Sequence, residues 1–136
     1  MRSVVFPYEK FPSRIFGAIY RPVVAVNFWC RRLGEWREVI AIADTGADYS
    51  VLPRFYAYDL GIDLKKECSK KRTKGIGGEE HIHIYQKMKV SFLNEVFTMP
   101  VGFVSHDDLP PIVGHKRFLE KFKITLHRRQ IRFENK

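Results

Sequence analysis

Val39-Ile40-Ala41-Ile42-Ala43-Asp44-Thr45-Gly46-Ala47-Asp48 is an apolar run driven into a tight Asp-Thr-Gly turn. Such a turn places one carboxylate, that of Asp44, at the end of a buried strand. The motif occurs once in 136 residues. Chemistry that relies on a pair of carboxylates needs both groups to share a single proton, one acting as base and the other as acid. A single copy therefore predicts that the second Asp44 comes from another copy of the chain. Reaction and oligomeric state are predicted together.

The sequence around this segment is rich in strand signals. Residues 19–29 and 35–42, heavy in Val, Ile, Tyr and Phe, predict a hairpin turning at 31–34, whose second strand delivers Asp44. Trp29 and Trp36 flank that turn and are expected to pair across it. Ser50-Val51-Leu52 reads as a short strand, and Pro53 suits the start of a helix ending near Gly61. Lys74-Gly75-Ile76-Gly77-Gly78-Glu79 predicts a mobile hairpin tip, followed by long strands over 81–92 and 96–104. Past Pro110-Pro111, Ile112-Val113-Gly114 is a very short strand, 116–122 a short helix, and 124–126 with 130–133 a closing hairpin. The expected fold is mainly β: a small closed or sandwich-like barrel with one or two short helices, forming one domain over residues 1–136.

An apolar fraction of 45%, with eleven Phe and six Tyr, supports a real core rather than disorder. The N-terminus lacks the apolar core and small-residue cleavage site of a signal peptide, and no run is long enough to span a membrane. Two cysteines, Cys30 and Cys68, imply no disulfide framework. A cytoplasmic protein with no membrane partner is expected. The formal charge of +9 comes largely from residues 65–74 and from the segment around Arg128, Arg129 and Arg132. Both are expected to be a solvated loop and a solvated hairpin; the alternatives are an acidic substrate or an RNA-binding face, and no aromatic interleaving supports RNA.

Taken together, these segments resemble the retropepsin-like aspartic proteases, the single-domain half of the pepsin architecture. Three motifs carry the resemblance, in order: Asp44-Thr45-Gly46-Ala47-Asp48 with Val51-Leu52-Pro53, then Gly75-Ile76-Gly77-Gly78, then Ile112-Val113-Gly114 followed by Phe118-Leu119. The similarity covers about residues 19–134 and is nearer to stand-alone prokaryotic members than to the shorter viral enzymes.

The resemblance implies a homodimeric endopeptidase acting on peptide or protein substrates without metal or cofactor. Asp44 would be the catalytic aspartate, and Thr45 would lock the two active-site loops across the dimer axis. Gly46, Ala47 and Asp48 would line the cleft, Ile76, Gly77 and Gly78 would close over the substrate, and Gly114 would be structural. His115 stands where an arginine often pairs with the loop's second aspartate, so a charged His115 paired with Asp48 would make dimer stability depend on pH. Ala47, in place of Ser or Thr, resembles members working nearer neutral pH.

Two other readings stand beside this one. An inactive peptide- or protein-binding module would keep the fold without the chemistry, and a basic β-barrel for nucleic acid would leave the three motifs unexplained. Smaller features carry bland expectations. His81 and His83 share a strand face but lack further ligands for a metal. His106-Asp107-Asp108 reads as a polar turn, and Cys68, among lysines that would lower its pKa, as incidental.

Overall fold

The computed structural model describes residues 2–75 and 78–136. Among them run ten strands: β1 (Ser3–Ser13), β2 (Gly17–Cys30), β3 (Glu35–Ala43), β4 (Ser50–Leu52), β5 (Ser69–Gly75), β6 (Gly78–Phe92), β7 (Glu95–Val104), β8 (Ile112–Val113), β9 (Phe122–His127) and β10 (Gln130–Asn135). Two short helices, α1 (Phe55–Leu60) and α2 (Leu64–Glu67), follow β4.

The strands are hydrogen-bonded in the order β5-β6-β7-β4-β8-β3-β2-β1-β10-β9. A second pairing of β2 with β6, at Asn27 opposite Ser91 and Phe28 opposite Val90, bends the sheet back on itself. The result is a closed ring of six strands, β6-β7-β4-β8-β3-β2, with β5 hanging from one side and β1, β10 and β9 from the other. The ring is not a regular barrel, because β4 meets β8 at a single residue pair.

Period-two patterning builds this ring. Val24, Val26, Phe28 and Cys30 of β2 point inward, as do Val39, Ala41 and Ala43 of β3 and Met99, Val101 and Phe103 of β7. Burying each large apolar side chain contributes about 1.5–3 kcal/mol. Phe92 of β6 gathers Phe133, Phe118 and Phe122 at ring-centroid distances of 4.9, 5.1 and 5.4 Å, which fastens the C-terminal hairpin to the ring. Trp29 and Trp36 are cross-strand partners with edge-to-face rings 5.3 Å apart, as expected. Helix α1 ends where the sequence placed its end: Gly61 takes the left-handed conformation, with φ of 77°.

Two expectations need correction. Residues 116–122 are not a helix but a turn leading into one 3-10 turn at Leu119–Lys121. Arg117 adopts a positive φ of 55°, which interrupts helical propagation, and Phe122 is taken up by β9 opposite Asn135. Residues 65–74 are not a loop: they form α2 and β5, whose backbone is paired with β6 while Lys70 and Lys71 stay in solvent. The segment before residue 17, which the sequence left unassigned, forms strand β1, with Pro7 and Pro12 inside it. No helix among the described residues is long and apolar enough to cross a membrane.

Candidate active site

Asp44 stands one residue beyond β3. The parallel pairing of β3 with β8, Ile42 opposite Ile112 and Ala43 opposite Val113, is extended by the Asp44 N–H donating to the Val113 carbonyl at 3.0 Å. The chain then turns. Ala47 N–H donates to the Asp44 carbonyl at 3.1 Å, and Gly46 N–H donates to Asp44 Oδ1 at 2.9 Å. One carboxylate oxygen is thereby fixed by the loop's own backbone. Asp44 is half-buried, while Thr45, Gly46 and Asp48 are exposed.

The loop is braced from behind by the segment after β8. His115 N–H donates to the Ala47 carbonyl at 2.9 Å and Lys116 N–H to the Asp48 carbonyl at 2.8 Å. Gly114 N–H donates to Ser50 Oγ at 3.1 Å, in the interior. A Cβ on Gly114 would lie 2.6 Å from the Tyr49 carbonyl oxygen and 2.7 Å from that of Ala47. Only glycine lets the two backbones come this close.

The ring of His115 does not reach Asp48. Its Nε2 donates instead to the Thr45 carbonyl at 2.6 Å. A carbonyl accepts from a neutral or a charged imidazole alike, so this brace needs no protonated histidine. Asp48 keeps its carboxylate in solvent, where it adds to burial in pushing the Tyr49 phenol above its ordinary pKa, burial being the larger cause.

A cleft of about 560 Å³ opens beside Asp44 and Thr45. Ile42, Leu109, Pro110 and Leu126 give it apolar walls. Such a surface can take up apolar side chains of an extended segment. The sequence reading missed Leu109, Pro110 and Leu126 as wall residues, and also the buried Ser50. A double proline before β8 marks a break but not what the break faces.

Of the glycine-rich segment, Gly75 and Gly78 face each other as the last pair of the β5–β6 hairpin, while Ile76 and Gly77 lie outside the described residues. Behind that tip, Lys70 stands opposite His83 and Arg72 opposite His81. Burial, and then Lys70, Arg54 and His81, lower the His83 pKa. His106-Asp107-Asp108 is a polar turn, Asp107 Oδ1 accepting from Phe55 N–H at 3.0 Å and His106 Nδ1 from Asp108 N–H at 3.2 Å. Cys68 departs from the sequence reading in its pKa: burial, with Glu67 and Asp63, raises it to about 11, opposite to the effect expected of its lysine neighbours.

No family model matches this sequence, and no curated protein matches it. Solved structures do. A crystal structure of a retropepsin-like aspartic protease from Rickettsia conorii superimposes with a TM-score of 0.67 at 18% identity, covering 97% of this chain and 98% of that one. A likeness at that identity is a likeness of fold, and the chain has the retropepsin-like fold.

Proposed function

We propose that this protein is an aspartic endopeptidase that acts as a homodimer, each subunit supplying one Asp44. The observation that carries the reading is the setting of Asp44: a half-buried carboxylate at a strand end, one oxygen held by Gly46 N–H, opening on an apolar cleft. Two such carboxylates brought about 3 Å apart cannot both ionise and share one proton. The ionised Asp44 takes a proton from water as the water attacks the peptide carbonyl carbon. The protonated Asp44 gives its proton to the carbonyl oxygen. Collapse of the tetrahedral intermediate expels the amine, which receives a proton from the dyad.

In this reading Thr45 meets its twin across the two-fold axis, and Gly46, Ala47 and Asp48 hold the substrate main chain. Ile76, Gly77 and Gly78 close over the peptide and exclude water. Gly114 and His115 position the loop and do not touch substrate. The apolar walls favour apolar side chains beside the scissile bond. The chemistry calls for no metal or cofactor.

Cleavage of a diverse peptide library by the wild type and by Asp44→Asn, from acidic to neutral pH, tests the proposal. Cleavage by the wild type alone is expected, with both proteins equally folded and dimeric. Cleavage surviving in a clean Asp44→Asn preparation would end the assignment. Absence of cleavage in both, from a protein shown to be dimeric, would favour the inactive binding module.

A further inference from the structure

β1 and β2 leave the sheet together. Ser3–Pro7 of β1 pair with β10, but Tyr8–Ser13 pair with Gly17–Pro22 of β2, and β2 meets β3 only from Val23 onward. Residues 8–13 and 17–22 thus make a two-stranded ribbon with no third strand among the described residues. No residue of the ribbon or its tip is buried. A lone two-stranded ribbon is marginal in water unless something covers it.

Yet this ribbon is built to hold a shape. Ser13 Oγ accepts from Ile15 N–H at 3.3 Å and from Phe16 N–H at 3.1 Å, and Gly17 closes the turn with φ of 75°. At its root Tyr8 N–H donates to the Arg129 carbonyl at 2.8 Å, and the Arg129 guanidinium lies 3.6 Å from the centre of the Tyr20 ring. The ordered tip presents Ile15 and Phe16 side by side, 83% and 76% exposed. Scattered apolar residues on a surface need no explanation, but two adjacent ones fixed at the end of a projecting ribbon do.

The ribbon's root supplies the occupant. Tyr8, Arg21 and Pro22 line the same cleft as Asp44 and Thr45. If two Asp44 carboxylates pair, the partner's loop sits at the Asp44–Thr45 edge of that cleft, leaving it open to substrate, and so near the ribbon root. The ribbon runs about 20 Å beyond it, at roughly 3.3 Å per residue. Two-fold symmetry makes the contact reciprocal.

We propose that the ribbon of residues 8–22 is a docking arm for a second copy of this chain, which buries Ile15 and Phe16. Two such arms, exchanged about the axis, hold the Asp44 loops together. The inference rests on the peptidase reading for the position of the axis.

The test is sedimentation equilibrium of the wild type and of the double variant Ile15→Ser, Phe16→Ser, with circular dichroism as the check on fold. Both side chains are exposed in the monomer, so the variant is expected to fold unchanged. Its dimer dissociation constant is expected to rise at least about a hundredfold, four apolar side chains per dimer having lost their cover. A variant that dimerises like the wild type overturns the arm and leaves the peptidase reading standing. A wild type that stays monomeric at every concentration overturns both. Tip-dependent binding to phosphatidylserine vesicles with an unchanged dimer constant also overturns the arm, making the tip a membrane contact.

Discussion

His115 Nε2 donates to the carbonyl oxygen of Thr45 across 2.6 Å, joining the segment after β8 to the residue that follows Asp44. This bond takes the place of the expected His115–Asp48 ion pair, and it does not require a charged imidazole. His115→Phe should lower stability by about 1 kcal/mol. In the peptidase reading kcat falls more than KM rises, because the loop is misplaced while the cleft walls remain. His115→Gln, whose amide can donate to the same carbonyl, should restore part of both. Urea titration and peptide kinetics on the two variants check this, and equal losses in both would refute the bond's role.

Gly114→Ala forces a methyl group to 2.6 Å from the Tyr49 carbonyl oxygen. Backbone lies on both sides of the contact, so relief requires moving the Asp44 loop itself. A loss of about 3 kcal/mol or more is expected, at the upper end of overpacking effects. A urea midpoint within error of the wild type would show that the loop gives way freely.

Ser50 is fully buried and its Oγ accepts the Gly114 N–H at 3.1 Å. Ser50→Ala leaves that donor without an acceptor in the interior, a loss of about 1–3 kcal/mol. Because Ser50 and Gly114 share one brace, Ser50→Ala and Gly114→Ala together should destabilise by less than the sum. A double-mutant cycle measures the difference.

Glu67 Oε2 accepts from Arg31 at 2.6 Å and from Asp63 N–H at 2.7 Å. The Arg31 hydrogen bond, followed by that of Asp63, lowers the Glu67 pKa from 4.5 to about 2. Stability from this group is fully present above the unfolded value of 4.5 and is lost as pH falls toward 2. The pair is solvent-exposed, so Glu67→Gln should cost no more than about 1 kcal/mol at neutral pH. That gap should narrow in acid and in high salt. Denaturation curves at several pH values show whether wild type and variant converge.

Burial holds the Cys68 thiol at about 11, and Cys30 is buried with its thiol donating to the Asp59 carbonyl at 3.0 Å. Neither should react quickly with an alkylating reagent at neutral pH in the native protein, since the thiolate is the nucleophile. Labelling of Cys68 should accelerate toward pH 11. Mass spectrometry of timed samples checks the order, and rapid labelling of Cys68 at neutral pH would contradict it.

Features written in a few neighbouring residues were legible. The apolar run into Asp44-Thr45-Gly46, the Trp29–Trp36 hairpin and the Gly61 helix end each depend on local backbone preference and period-two burial. β5 was illegible because Lys70, Lys71 and Arg72 are exposed; the apolar residue opposite Lys71 is Ile82, on another strand. The helix expected at 116–122 failed for a related reason. Phe118 and Leu119 have a helical look, but Arg117 turns left-handed and the sheet claims Phe122.

The sequence by itself determined the strand that carries Asp44 and the turn that holds its carboxylate. These follow from residue types a few positions apart. Only the tertiary structure decided that Gly114 backs against Tyr49 and Ala47, that His115 braces Thr45, and that residues 8–22 stand clear of the sheet. Those relationships join segments dozens of residues apart, and ring closure, not local propensity, brings them into contact.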